Sequence, residues 1–183
     1  MKNLTFSVLF IFYTLLSHAQ IFFGSQQLIT QNAVSQTETL FPADLNGDGY
    51  QDLLTSNEGD QSVAWFRNNS GSGSFYGPFK VANDVSQPAA AIAFDADGDG
   101  DKDIVYASWE KSQIYCFLNQ DGMGDFGQRK IIDSYANGVW TLQYADVDGD
   151  GDFDLVSAHR EGNSIVWYEN LDGKANFSEK KNN

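Results

Sequence analysis

Asp146-Val147-Asp148-Gly149-Asp150-Gly151-Asp152-Phe153-Asp154 is the stretch on which the reading of the chain turns. With Asp146 as position 1, acidic side chains stand at positions 1, 3, 5 and 9, and position 7 offers its backbone carbonyl. Calcium takes roughly 6–8 oxygens at about 2.3–2.6 Å from carboxylates, carbonyls and water, so this spacing predicts an oxygen cage for a hard divalent cation. Asp154 at position 9 is expected to close the shell with both oxygens. Gly149 and Gly151 let the backbone turn tightly through φ > 0. Without a cation the loop is costly, because carboxylates about 4 Å apart repel by roughly 4 kcal/mol per pair at an effective dielectric of about 20.

The loop occurs three times. Asp95, Asp97, Asp99, Asp101 and Asp103 hold positions 1, 3, 5, 7 and 9 of the second copy, and Asp44, Asn46, Asp48, Tyr50 and Asp52 those of the first. The copies start at 44, 95 and 146, two intervals of 51 residues. A fixed period of that size is the mark of a repeat architecture. The expected metal set is therefore these ten residues with Asp146, Asp148, Asp150, Asp152 and Asp154, holding about three Ca2+ ions. The first site is expected to be the weakest, since Asn46 brings oxygen without charge.

The 183 residues carry a formal charge of −14, and a chain of this length suggests about one domain. Eleven of the 25 acidic residues stand at positions 1, 3, 5 and 9, where the carboxylate itself is the candidate ligand. The acidity thus reads first as metal sites, and it excludes nucleic-acid binding, which needs a basic footprint. Residues 1–19 read as a secretory signal peptide: Lys2, an apolar run from Leu4 to Leu16, and Ser17-His18-Ala19 as a small-residue cleavage site. The apolar run is too short for the roughly 20 residues of a membrane-spanning helix. Gln20 becomes the new amino terminus, and the expected location is secreted or cell-surface with no membrane span after cleavage. Cys116 is the one cysteine, so no intramolecular disulfide forms. Asn68-Asn69-Ser70 and Asn176-Phe177-Ser178 are glycosylation sequons that matter only in a eukaryotic secretory route.

The period extends beyond the acidic loop. Leu53-Leu54, Ile104-Val105 and Leu155-Val156 follow the loops. Next come Val63-Ala64-Trp65-Phe66, Ile114-Tyr115-Cys116-Phe117 and Ile165-Val166-Trp167-Tyr168, then Asn68, Asn119 and Asn170, then Phe75, Phe126 and Phe177. With the runs before each loop and the runs at Phe79-Lys80-Val81 and Lys130-Ile131-Ile132, each unit holds four short β-rich runs between Gly, Asn, Asp and Ser turns. Four antiparallel strands at a period near 50 match a β-propeller blade. The expected fold is all-β, with residues 20–183 forming three four-stranded blades, the last lacking its final strand.

On these residues the chain resembles the FG-GAP/VCBS-type repeat, the calcium-loop blade also found in integrin α-subunit propellers. The resemblance rests on Asp-x-Asp-Gly-Asp-Gly-x-x-Asp, the apolar run, Ile165-Val166-Trp167-Tyr168-Glu169-Asn170, and the Gly173 to Phe177 spacing. It covers roughly residues 24–181 and implies a calcium-binding propeller, often a non-catalytic module for adhesion or polysaccharide work. An EF-hand is excluded, because position 12 is Thr55, Tyr106 and Ser157 instead of Glu and the flanks are β-like.

Propellers close with about 4–8 blades. Phe23 to Ile29 resembles Phe126 to Ile132, so the mature chain starts with a fourth-strand equivalent and lacks the last one. Three readings follow: the leading part of a longer protein, assembly with a second copy into about six blades, or an open array. His159 is expected to be an exposed turn histidine, and Glu58, Trp109 and Arg160 are equivalent turn tips, read first as surface decoration and otherwise able to contact a sugar or protein. Cys116 aligns with Trp65 and Trp167 and reads as a buried packing residue. No catalytic residues are expected. The expectation is a binding or adhesion module with structural calcium and a carbohydrate or protein ligand. The alternative is the propeller portion of a secreted polysaccharide lyase or hydrolase whose catalytic residues lie elsewhere.

Overall fold

Short β-branched and aromatic runs cut by Gly, Asn and Asp turns form strands and hairpins. The computed structural model describes residues 24–31 and 33–179, so the leader expected at 1–19 lies outside the described residues. Eleven strands follow in order: β1 Thr37–Ala43, β2 Asp52–Asn57, β3 Ser62–Asn68, β4 Phe75–Ala82, β5 Pro88–Phe94, β6 Asp103–Ser108, β7 Gln113–Phe117, β8 Lys130–Asp133, β9 Val139–Ala145, β10 Asp154–His159 and β11 Ser164–Tyr168. They build three antiparallel sheets, β1-β2-β3-β4, β5-β6-β7-β8 and β9-β10-β11. The fold is all-β, a row of propeller-type blades that does not close on itself. The register repeats with the sequence: Leu54 faces Trp65, Val105 faces Cys116, and Val156 faces Trp167.

The core lies between blades. Leu45, Leu54, Val63 and Trp65 pack against Ile104, Tyr106 and Tyr115, while Phe94, Val105 and Ile114 pack against Leu142, Leu155 and Tyr168. Full burial of one such side chain is worth roughly 1.5–3 kcal/mol. Each residue of β6 in the middle blade is buried, because neighbours cover both faces. The fourth strand β4 buries only Ala82, and β9, the first strand of the third blade, only Val139 and Leu142. Residues 24–31 form no strand although they resemble β8 in sequence. A fourth strand takes its ladder from a third strand of its own blade, and among the described residues none stands beside 24–31.

Polar links repeat between blades. The Asn119 side-chain amide donates to the Leu45 carbonyl at 3.0 Å, and Asn170 donates to the Ala96 carbonyl at 2.8 Å. Asn68, in the same register on the first blade, donates to Gln51 within its own blade. Losing a partner leaves a buried carbonyl unpaired, at a cost of about 1–3 kcal/mol. Asn119→Ala is therefore expected to destabilise by that amount in guanidinium unfolding, and Asn68→Ala by clearly less. Equal losses would mean that the inter-blade bond is not the source of the effect.

Candidate metal centres

Each acidic loop connects the first strand of a blade to the second. In the second loop, Asp95 accepts hydrogen bonds from the Gly98 and Gly100 amides at 2.7 and 3.0 Å, and Asp99 accepts one from the Asp101 amide at 2.9 Å. In the third, Asp146 accepts from the Gly149 and Gly151 amides at 2.6 and 3.2 Å, and Asp150 from the Asp152 amide at 3.2 Å. These bonds wind the chain so that the carboxylates converge. Gly100 and Gly151 sit at φ 100° and 104°, where a Cβ is strongly disfavoured.

Two triplets result. One carboxylate oxygen from each of Asp95, Asp97 and Asp99 lies within 4.8 Å of the others, and Asp146, Asp148 and Asp150 do the same. A set of three hard anionic oxygens fits a calcium-like cation. Asp152 strengthens the fit in the third loop, because its Oδ1 is buried and has no hydrogen-bond partner. Burial, and then the charge of Asp99, raises the Asp97 pKa, while burial and then Asp150 raise that of Asp152. Such groups lose their mutual repulsion when a cation neutralises them.

The first loop is built differently. Asp44 accepts from the Asp48 and Gly49 amides, and Asn46 Oδ1 from the Asp48 amide. The Asp48 Oδ2 atom is 3.3 Å from the Arg67 guanidinium. That register holds Leu118 and Glu169 in the other blades, so the Arg67 pairing is particular to the first loop. With Asn46 and Tyr50 at positions 3 and 7 it has two carboxylates fewer, and an arginine as counter-charge. The position-7 side chains pack on their own blade's outer hairpin: Tyr50 on Gly71, Asp101 on Gly122, Asp152 on Gly173.

Position 9 does not join the triplets. Asp103 is fully buried, with Oδ2 accepting from the Ala96 amide and Oδ1 from the Asn119 amide, both at 2.8 Å. Asp52 holds the Leu45 and Asn68 amides, and Asp154 the Val147 and Asn170 amides, in the same way. At the position that sequence spacing reads as a two-oxygen metal ligand, both oxygens accept amides and join the loop to the hairpin of its own blade. Position 9 opens the second strand and is buried in all three blades, with Asp52 and Asp103 still feeling the charge of their own loop's carboxylates.

Burial pushes the Asp103 carboxyl up to about 6, against the pull of its two amide donors. Its unfolded value lies near 3.9, so between these pH values the folded state binds more protons. On this group's account, the calcium-free protein is most stable below about pH 4 and loses up to about 3 kcal/mol as pH rises to about 6. Denaturant titrations in chelator at several pH values across that window check the sign; a rise would contradict it.

A second feature lies at the opposite strand ends. Glu38, Glu58, Trp109, Trp140 and Arg160 line a cleft of about 240 Å³ with Pro88 and Ala89. The two indoles meet edge to face at 5.0 Å, and the Arg160 guanidinium lies 5.8 and 5.4 Å from their centres. The tips Glu58, Trp109 and Arg160 thus come together at one cleft. Glu38, Ala89 and Trp140 line it too, a set that sequence reasoning missed although it obeys the same 51-residue register.

His159 is a correction. It is 3 % exposed, at the end of β10, not an exposed turn residue. Nδ1 is 3.2 Å from the Asn137 carbonyl, which can only accept, so Nδ1 carries the proton; Nε2 then accepts from Ser157 at 2.7 Å. Asn57 and Ser108, its register mates, are also buried, because this position closes the second strand beneath the tip. Cys116 is buried as expected, and burial raises its thiol pKa to about 12, which leaves it unreactive.

A family model described as FG-GAP-like repeat matches residues 44–106 and 95–157, together more than half of the chain. Each match runs from one acidic loop through the next. The chain matches no curated protein.

Proposed function

Because this chain belongs to the FG-GAP-like repeat family, we propose that it is a secreted, calcium-stabilised β-propeller module that binds a carbohydrate or protein ligand. The observation that carries the calcium reading is the pair of aspartate triplets in the second and third loops. Calcium is structural in this reading: Asp95 with its neighbours and Asp146 with theirs hold the turn between a blade's first two strands. The bound ion supplies charge neutralisation there. The signal-like residues 1–19 support export, and no helix among the described residues is long and apolar enough to cross a membrane.

Calorimetric titration tests the metal reading. Two ions are expected to bind well, at the second and third loops, with the Arg67-paired first loop weaker. No heat of binding up to about 10 mM calcium, well beyond the roughly 10⁻⁴–10⁻³ M of extracellular modules, removes it.

The ligand reading draws support from the cleft between Trp109, Trp140 and Arg160. Indole faces stack on sugar rings or on protein side chains, and Glu38, Glu58 and Arg160 offer acceptors and donors around them. Trp140 is 47 % exposed, so Trp140→Ala removes contact area with little effect on folding. It is expected to weaken binding to a retained polysaccharide at least about tenfold, the scale of a buried aromatic anchor. Unchanged retention on affinity electrophoresis places the ligand elsewhere.

A further inference from the structure

Trp65, Cys116 and Trp167 stand at one register of β3, β7 and β11. The first two are covered by the outer hairpin of the next blade, and the sizes interlock. Opposite Trp65 is Gly124, where a Cβ would stand 2.8 Å from Cζ2 of the indole. Opposite Cys116 is Ala175, in the same cleft. The large side chain meets a glycine, and the small one shares its cleft with a methyl-bearing residue. Gly124 and Ala175 share a left-handed backbone, with φ 95° and 56°.

Trp167 has the size of Trp65 and no such cover. It is 41 % exposed, against 6 % for Trp65 and 1 % for Cys116. The Val147 carbonyl, equivalent to the Leu45 and Ala96 carbonyls that Asn119 and Asn170 bind, has no partner among the described residues. The first blade holds the matching half. In the register of Gly124 and Ala175 it carries Gly73 at φ 79°, and in that of Asn119 and Asn170 it carries Asn68.

The edge strand agrees. Trp65 pairs with Phe79 of β4 and Cys116 with Lys130 of β8, whereas β11 has no outer neighbour among the described residues. Gln27 is the counterpart of Lys130 in the alignment of Phe23–Ile29 with Phe126–Ile132. It already lies beside the first blade's hairpin, with Oε1 3.2 Å from where a Gly73 Cβ would stand.

We propose that the outer face of the third blade docks the first blade of a second copy of this chain. Trp167 seats on Gly73 of the second copy, the Val147 carbonyl accepts from its Asn68, and its residues 24–30 complete the sheet beside β11. The same contact made in the reverse sense closes a two-fold ring. Two three-sheet chains make six blades, within the usual range of about 4–8.

Sedimentation equilibrium of the protein in calcium tests this, with circular dichroism to confirm that each variant is folded. The wild type is expected at twice the chain mass. Trp167→Ala is expected to raise the dimer dissociation constant by about 30-fold or more, as for a central tryptophan anchor. Gly73→Ala is expected to weaken the dimer too, because its methyl meets the indole; the backbone tolerates it, as Ala175 shows. Trp167→Cys combined with Gly73→Ala recreates the Cys116–Ala175 fit and is expected to restore the dimer. A wild type that stays monomeric up to about 0.1 mM, well above the micromolar range of stable complexes, overturns the proposal. So does a dimer indifferent to Trp167→Ala, or a double variant no tighter than Gly73→Ala; in those cases another blade or protein covers the face.

Discussion

Removing calcium lowers the melting temperature by roughly 10–20 °C. A ligand that binds only the folded state stabilises it by about 2.7 kcal/mol at a hundredfold excess over Kd. Two such sites contribute about 5 kcal/mol, and each kcal/mol shifts a domain of this size by about 2–4 °C. Sites with Kd near 10⁻⁴ M reach that excess at about 10 mM calcium. The origin is local: the triplets Asp95–Asp97–Asp99 and Asp146–Asp148–Asp150 hold like charges that the fold brings together and the unfolded chain separates. Calorimetric melts in 10 mM calcium and in excess chelator measure the effect. A difference under about 2 °C would leave the loops as solvated turns.

Asp103→Ala destabilises the protein with or without calcium, and that separates position 9 from the triplets. The substitution strips the acceptor from the Ala96 and Asn119 amides, both in the buried interior. Each unsatisfied amide costs about 1–3 kcal/mol, so about 4 kcal/mol is lost at mid-range, or roughly 8–16 °C. Asp99→Ala is the control. Asp99 lies at the exposed rim and accepts the Asp101 amide there, so its loss is expected to act through calcium and to vanish in chelator. If Asp103→Ala also became silent in chelator, the clasp described here would be secondary to a metal-ligand role.

The sequence alone determined the repeat. The 51-residue recurrence of Asp44, Asp95 and Asp146, with apolar runs and aromatic positions in step, led to four-stranded units and to the matching family, because periodicity is a property of the chain itself. It also determined that Cys116 packs inside, since it shares a register with Trp65 and Trp167. Spacing along a loop says which residues carry oxygen, but not which way each side chain points once a strand begins. Tertiary structure therefore decided that Asp52, Asp103 and Asp154 clasp backbone amides. Only the folded chain set Arg67 against Asp48 and buried His159 beneath its tip. It likewise drew Glu38, Glu58, Trp109, Trp140 and Arg160 from three blades to one cleft, since residues far apart in sequence become neighbours only when the blades pack side by side.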